Sequence, residues 1–292
     1  MHVGATPRFA DIDPQTYNMD PRSAEKLITD RTGAIVVVHH AGVPADIEAF
    51  LELGRRRGIP IIEDCAHAPG ALYRGAHGPR PAGTWGDIGC FSFFANKNLT
   101  TGEGGMVITD DDELARKIKT ARSHGMTSLT WDRHQGHASS YDVVARGYNY
   151  RLDEMRAALG LIQLSRLAPG NARRRELTRA YQPRLSGLAG LKLPFLNAPE
   201  GSAHHLFPVL LAEPAARADF MATLARQGIQ TSIHYPPVHL FSYYRGLWPP
   251  GYDHQLPLTE DVAARLVTLP LYPGLHLSQI DLVCAAIHAF FA

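Results

Sequence analysis

Ala34-Ile35-Val36-Val37-Val38-His39 is followed by the stretch Asp46 to Arg57 and then by Pro60-Ile61-Ile62-Glu63-Asp64. The first and last runs are short, continuous and β-branched, which fits strands covered on both faces. Between them, Ile47, Phe50, Leu51 and Gly54 fall on one side of a helix that stops at Gly58. Cys90 to Phe94 reads as a further buried strand. Glu113 to His124 reads as a helix with Leu114, Ile118 and Ala121 at helical spacing, closed by Gly125. Strand, helix, strand repeats of this kind predict an α/β fold, with a mostly parallel sheet flanked by helices.

Further along, Met126 to His137 has no clear period and is long for a plain connection, so it reads as a functional loop or an interface arm. Asp153 is a candidate N-cap for a helix to Leu167, with Met155, Ala158, Leu159, Ile162 and Leu167 in one apolar stripe. Beyond Pro169-Gly170 the organisation changes. His205 to Leu211 reads as a strand, Ala215 to Gln227 as a helix, Ile229 to Ile233 as a strand and Ser278 to Phe291 as a closing helix. The expected division is a large domain over residues 1–168 and a smaller α+β C-terminal domain over 169–292.

Composition narrows the function. The net charge is +1, from 29 Lys and Arg against 28 Asp and Glu, which is not the basic footprint of a nucleic-acid binder. No apolar run reaches the length of a membrane span. Cys65, Cys90 and Cys284 have no metal spacing and cannot all pair, so a reducing cytoplasm is expected. His39-His40 and His204-His205 are sequence neighbours, and neighbours on a strand point to opposite faces, so neither pair predicts a zinc site. No Gly-x-Gly-x-x-Gly opens a helix after a strand, which disfavours a dinucleotide-dependent dehydrogenase.

Two residues carry the chemistry. Asp64 stands at the C-terminal end of a buried strand, the end at which open α/β sheets bind ligands. Lys97 follows the strand containing Phe91-Ser92-Phe93-Phe94 and precedes the glycine-rich run Gly102-Glu103-Gly104-Gly105. A lysine partly withdrawn from water has a lowered pKa and a more available neutral amine. A lysine for a Schiff base and a carboxylate for a pyridinium nitrogen are what pyridoxal phosphate (PLP) enzymes require. Ser92 could donate a hydroxyl to the phosphate, and His67 could stack on or hydrogen-bond the ring.

These segments resemble the DegT/StrS sugar-aminotransferase family. Glu63-Asp64-Cys65-Ala66-His67-Ala68-Pro69-Gly70-Ala71 is similar to its aspartate segment. Phe91-Ser92-Phe93-Phe94-Ala95-Asn96-Lys97-Asn98-Leu99-Thr100-Thr101-Gly102-Glu103-Gly104-Gly105 is similar to its lysine segment almost residue for residue. Gly147-Tyr148-Asn149-Tyr150-Arg151-Leu152 resembles the segment that reaches into the partner subunit's active site, and His234-Tyr235-Pro236-Pro237-Val238-His239 resembles the small-domain substrate segment. Asp11 to Asn18 and His39 to Asp46 also match, so the resemblance covers nearly the whole chain.

The resemblance implies a type I PLP-transferase fold working as a homodimer with shared active sites. It implies Lys97 as the Schiff-base residue, Asp64 on the pyridinium nitrogen, His67 at the ring and Ser92 on the phosphate. Asn149 and Arg151 would contact the cofactor phosphate of the other subunit, and His234, Tyr235 and the Thr127 to His137 loop would meet the acceptor. Trp131, in that loop, reads as packing rather than sugar stacking. The implied reaction takes an amino group from glutamate or glutamine to a keto-sugar, nucleotide-linked in this reading, or to a keto-cyclitol. Family members with histidine at the lysine position act as dehydratases, whereas Lys97 favours transamination. A dehydratase and a catalytically silent partner protein remain the alternative readings. The family's usual segment ahead of Gly4-Ala5-Thr6-Pro7, with a phosphate-binding Gly-Thr or Gly-Ser pair at a helix N-terminus, has no counterpart here. The chain therefore reads as N-terminally shortened, with an incomplete N-terminal part of the fold.

Overall fold

The computed structural model describes residues 1–76, 78–127, 140–196, 201–247 and 255–292. Trp131 and the stretch from 128 to 137 lie outside the described residues. Helix α1 (Pro21–Glu25) is capped by Asp20 and leads to strand β1 (Ile35–Val38). Helix α2 (Ile47–Arg57) begins at Asp46, whose carboxylate accepts the Ala49 N–H, and ends at Gly58 with φ 66°. Strand β2 (Ile61–Asp64) follows, then the hairpin β3 (Leu72–Gly75) and β4 (Gly78–Pro81), then β5 (Ile88–Ser92) and β6 (Gly105–Ile108). The main sheet has the order β1-β2-β5-β6, with β1, β2 and β5 parallel and β6 antiparallel. The α/β architecture with a mostly parallel sheet is thus the one that the strand–helix–strand pattern predicts.

The core beneath β1 and β2 contains Ile35, Val37 and Ile61, packed under Ile47, Phe50 and Leu53 of α2. The other face of β1 is open: Val36 is 53% and Val38 42% exposed. The continuous apolar run predicts cover on both faces, and this chain supplies it on one. The third strand also ends two residues earlier than its sequence suggests, at Ser92. Phe93 and Phe94 therefore belong to the loop that leads to Lys97.

Helix α3 (Asp112–Ala121) is capped by Asp111, which accepts from Glu113 and Leu114 N–H. Helix α4 (Glu154–Leu185) starts at the Asp153 cap, as expected, but runs on through Pro169 and Pro183. Its first half exposes Met155, Leu159, Leu161, Ile162 and Leu164. Its second half buries Leu177, Tyr181 and Leu185 against an antiparallel sheet of order β7-β8-β9. Those strands are β7 (Leu191–Lys192), β8 (Phe207–Leu211) and β9 (Leu266–Leu269). Helices α5 (Ala216–Arg226) and α8 (Leu277–Phe291) add Phe220, Leu224, Ile280 and Ile287 to the same core. Two short helices, α6 (Ser242–Arg245) and α7 (Pro257–Arg265), lie between α5 and β9. The segment Ile229 to Ile233, read as a strand, forms a single bridge between Ser232 and Thr268.

One buried carboxylate ties the strand ends together. Glu63 Oε2 lies 2.9 Å from His39 Nε2 and accepts the Gly83 N–H at 2.8 Å. Its Oε1 accepts from Trp85 N at 2.8 Å and Gly86 N at 2.7 Å. His39 Nδ1 accepts the Ala45 N–H, so its Nε2 carries the proton donated to Glu63. Cys65 is close enough to complete a cluster with His39 and Glu63, but the lone pairs of that pair are spent on hydrogen bonds. The cluster is a fastening between β1, β2 and the entry to β5. Burial pushes the Glu63 carboxyl up, but the hydrogen bonds from His39, Gly86 and Gly83 outweigh it and hold it below its ordinary value.

Glu63→Gln puts an amide N–H where only donors point, so it should cost about 3–5 kcal/mol of stability, measured by urea denaturation. Because the folded carboxyl is held below its unfolded value of about 4.3, this contribution is present above that pH. It should be lost as pH falls through the folded value.

Candidate active site

The site gathers where β1, β2 and β5 end. In the sheet register Asp64 lies opposite Cys90, so the ends of β2 and β5 are neighbours. Asp64 is half-buried and accepts the Ala66 N–H at 2.9 Å, which turns the chain after β2 toward His67. Lys97 sits on the loop after β5, its own N–H donated to Phe94 O and the loop closed by Thr101 N–H to Phe93 O. Its side chain is half-buried. Desolvation lowers the Lys97 pKa, and the Asp64 charge opposes that shift. The lysine and the aspartate are thus within electrostatic reach of each other, as the strand-end placement predicts.

His67 is buried, with 6% exposure. Its Nε2 lies 2.9 Å from the Tyr235 hydroxyl, and the two rings stack at 5.7 Å with 27° between planes. Its Nδ1 is buried without a hydrogen-bond partner among the described residues. His234 Nδ1 lies 3.0 Å from Thr268 Oγ1 on β9. His234 and Tyr235 therefore bring the small sheet to the strand ends. Ser92, the last residue of β5, uses its hydroxyl oxygen to accept the Phe94 N–H at 3.3 Å.

Asn149 and Arg151 lie on the connection between α3 and α4. Both are exposed, and Arg151 Nε donates to Asn149 Oδ1 at 3.2 Å. Asn149 forms a bridge with Ser123 at the end of α3.

Two further histidines join the site that the sequence did not single out for it. The His67 ring lies 4.3 Å from that of His205 and 6.1 Å from that of His40. Each comes from a histidine pair in the sequence. His39 turns inward to Glu63 while His40, at the start of the turn beyond β1, faces His67. The backbone brings these segments close at Gly42, which has φ 88°. A Cβ there would lie 2.9 Å from His67 O and 3.0 Å from His205 N. Glycine is required by both the conformation and the space.

Burial favours the neutral form of His40, His67 and His205. Burial pulls His205 down to about 3, with the Lys97 and Arg174 charges adding to it. Burial pulls His40 to about 4. Burial, and then His205 and Lys97, push His67 lower still. Burial raises the Tyr235 hydroxyl pKa, with Asp64 adding to it.

The unfolded chain binds protons at these histidines near pH 6.5, while the folded chain does not. Stability should therefore fall as pH drops from about 6.5 toward 4, by up to about 1.4 kcal/mol per pH unit for each such group. Histidine Cε1–H chemical shifts should stay flat for His40, His67 and His205 from pH 8 to 5. A titration of any of them near pH 6.5 would contradict the buried placement.

Comparison with known proteins identifies the family and the fold. Residues 1–288 match the model of the DegT/DnrJ/EryC1/StrS aminotransferase family. The spore coat polysaccharide biosynthesis protein SpsC of Bacillus subtilis is 39% identical over 293 aligned positions, covering 98% of this chain and 74% of SpsC. Among solved structures, DesV of S. venezuelae, in complex with a ketimine intermediate, superposes with a TM-score of 0.87 at 38% identity. That match covers 99% of this chain and 73% of DesV. PseC of Helicobacter pylori, an aminotransferase of pseudoaminic acid biosynthesis, superposes with a TM-score of 0.90 at 29% identity, covering 99% of this chain and 75% of PseC. The fold is that of these aminotransferases, and the chain belongs to the DegT/DnrJ/EryC1/StrS aminotransferase family.

Proposed function

We propose that this chain is a PLP-dependent aminotransferase that moves an amino group from glutamate or glutamine to a keto-sugar, nucleotide-linked, or to a keto-cyclitol. The observation that carries the proposal is the placement of Lys97 and Asp64 at neighbouring strand ends, with Lys97 depressed by desolvation. The residues suit the cofactor. Lys97 is the amine that would hold it, and Asp64 the carboxylate that would face its pyridine nitrogen. His67 keeps a buried Nδ1 without a partner at the ring position, and Ser92 offers a hydroxyl for the phosphate.

When bound, PLP supplies an electron sink for the carbanion formed at the amino acid's Cα. Lys97 Nζ, more often neutral than an exposed lysine, would take the proton from Cα and return it at C4′ of the cofactor in the same half-reaction, and the second half-reaction would run the two transfers in reverse. Asp64 keeps a proton on the pyridine nitrogen by charge. His67 and Tyr235 close one side against water, and His234 and Tyr235 meet the acceptor. Support for the substrate class comes from SpsC and PseC, whose names place them in polysaccharide and pseudoaminic acid biosynthesis.

We also propose a homodimer, with Asn149 and Arg151 serving the partner's cofactor phosphate. The apolar first half of α4, exposed from Met155 to Leu164, supports that arrangement. The two largest core clusters, one under β1 and β2 and one around β8 and β9, support a cofactor-binding part over 1–168 and a smaller part over 169–292.

Incubation of the chain and PLP with glutamate or glutamine and a panel of nucleotide-linked keto-sugars and oxidised cyclitols should yield a product with the mass of the amine. A deoxygenated product would replace this reading with the dehydratase. Lys97→Ala should lower turnover by on the order of 10²–10⁴-fold. Asp64→Asn should lower turnover while PLP is still taken up. Full turnover by Lys97→Ala would refute the assignment.

A further inference from the structure

We propose that His205 is a positioning residue of this site, holding both the lysine loop and the His67 ring; this rests on the reading of Lys97 and His67 as cofactor groups. Asn98, the neighbour of Lys97, is the link. Its Nδ2 donates to Asn171 Oδ1 at 2.9 Å and to Ala203 O at 2.8 Å. Both amide protons are spent, so Oδ1 can only accept, and it lies 2.9 Å from His205 Nδ1. His205 Nδ1 therefore carries the proton and Nε2 is bare. This fixes the tautomer of a neutral, buried imidazole.

The other attachments of His205 make it rigid. Its N–H donates to Ala41 O at 2.9 Å, beyond the end of β1. Its carbonyl accepts from Arg174 Nη1 at 3.3 Å, and the same nitrogen donates to Leu271 O at 2.8 Å. Arg174 is buried on α4, and burial draws its pKa down to about 10. His204, just before, has φ 46°, so the chain is bent sharply where it enters β8. Ser202 Oγ adds a bond to Gly42 O at 3.1 Å. The segment 202–205 is thereby fastened to the ends of β1 and β5 and to α4.

From this fixed place the His205 ring meets His67 at 4.3 Å with 35° between planes. Tyr235 stacks on the same imidazole at 5.7 Å. Rotation of the His67 ring would collide with one neighbour or lose the other. His205 also holds Asn98 in the orientation that fixes the backbone next to Lys97. A group with such supports holds reacting atoms within the narrow limits a site needs.

Two substitutions in the full chain separate the contacts. His205→Phe keeps a ring against His67 but cannot donate to Asn98. His205→Asn keeps a donor near the Nδ1 position but lacks the ring. Titration with PLP should show His205→Phe binding about 10-fold more weakly, the scale of one lost buried hydrogen bond. It should also show a changed visible circular dichroism per bound cofactor. His205→Asn should recover the dichroism toward wild type. Wild-type affinity and dichroism in His205→Phe would overturn the proposal, as would a fall in melting temperature alone, or a His205→Asn protein no closer to wild type.

The cofactor-free wild-type chain decides the geometry independently, even if neither variant folds. Nitrogen chemical shifts should show His205 protonated on Nδ1 and bare on Nε2, and the reverse tautomer overturns the proposal. If the wild-type chain takes up no PLP, the functional reading fails, while the tautomer still decides whether His205 holds Asn98.

Discussion

The carboxylate of Glu63 is buried between two strands and accepts hydrogen bonds from His39 and from the main chain of Gly83, Trp85 and Gly86. A buried charge is costly unless its lone pairs are filled, and here they are. Through them the end of β1, the end of β2 and the approach to β5 are held at fixed spacing. Asp64 is the next residue on β2, and Lys97 lies on the loop beyond β5. The distance over which these two side chains act on each other is therefore set by a group that touches neither a substrate nor a cofactor. The small sheet is brought to the same place by α4 and by segment 202–205, so His234 and Tyr235 arrive from far along the chain.

Much of this was legible because it is local. The β-branched runs before His39 and Asp64, the Asp153 cap and the lysine loop all carry their structure in adjacent residues. The limits of legibility are equally physical. Pro169 and Gly170 read as a helix stop, yet α4 continues, because Asn171, Arg174, Leu177 and Tyr181 each gain a tertiary partner by staying helical. Strand β9 was not visible because α7 ends at Arg265 and the strand begins at Leu266, with no turn residue between them.

The candidate site shows the same division. Lys97, Asp64, His67 and Ser92 lie in two short segments and could be read together. His40 and His205 could not, since only the folded chain brings them to His67. Their one signal was doubling: in the His39-His40 pair one residue serves the core and the other the site. The apolar faces of β1 and of the first half of α4 are a further case. Their sequences predict burial, and the chain alone leaves Val36, Val38 and Met155 to Leu164 in contact with water. That surface is what the proposed homodimer would draw on.

The central claim is that Lys97 is the amine that holds the cofactor. The most direct measurement is borohydride reduction of the full chain after mixing with PLP, followed by peptide mass mapping. The account predicts one reduced adduct, on the peptide containing Lys97, with loss of the visible absorbance band. An adduct spread over Lys26, Lys117, Lys119 and Lys192, or no adduct at Lys97, would contradict it.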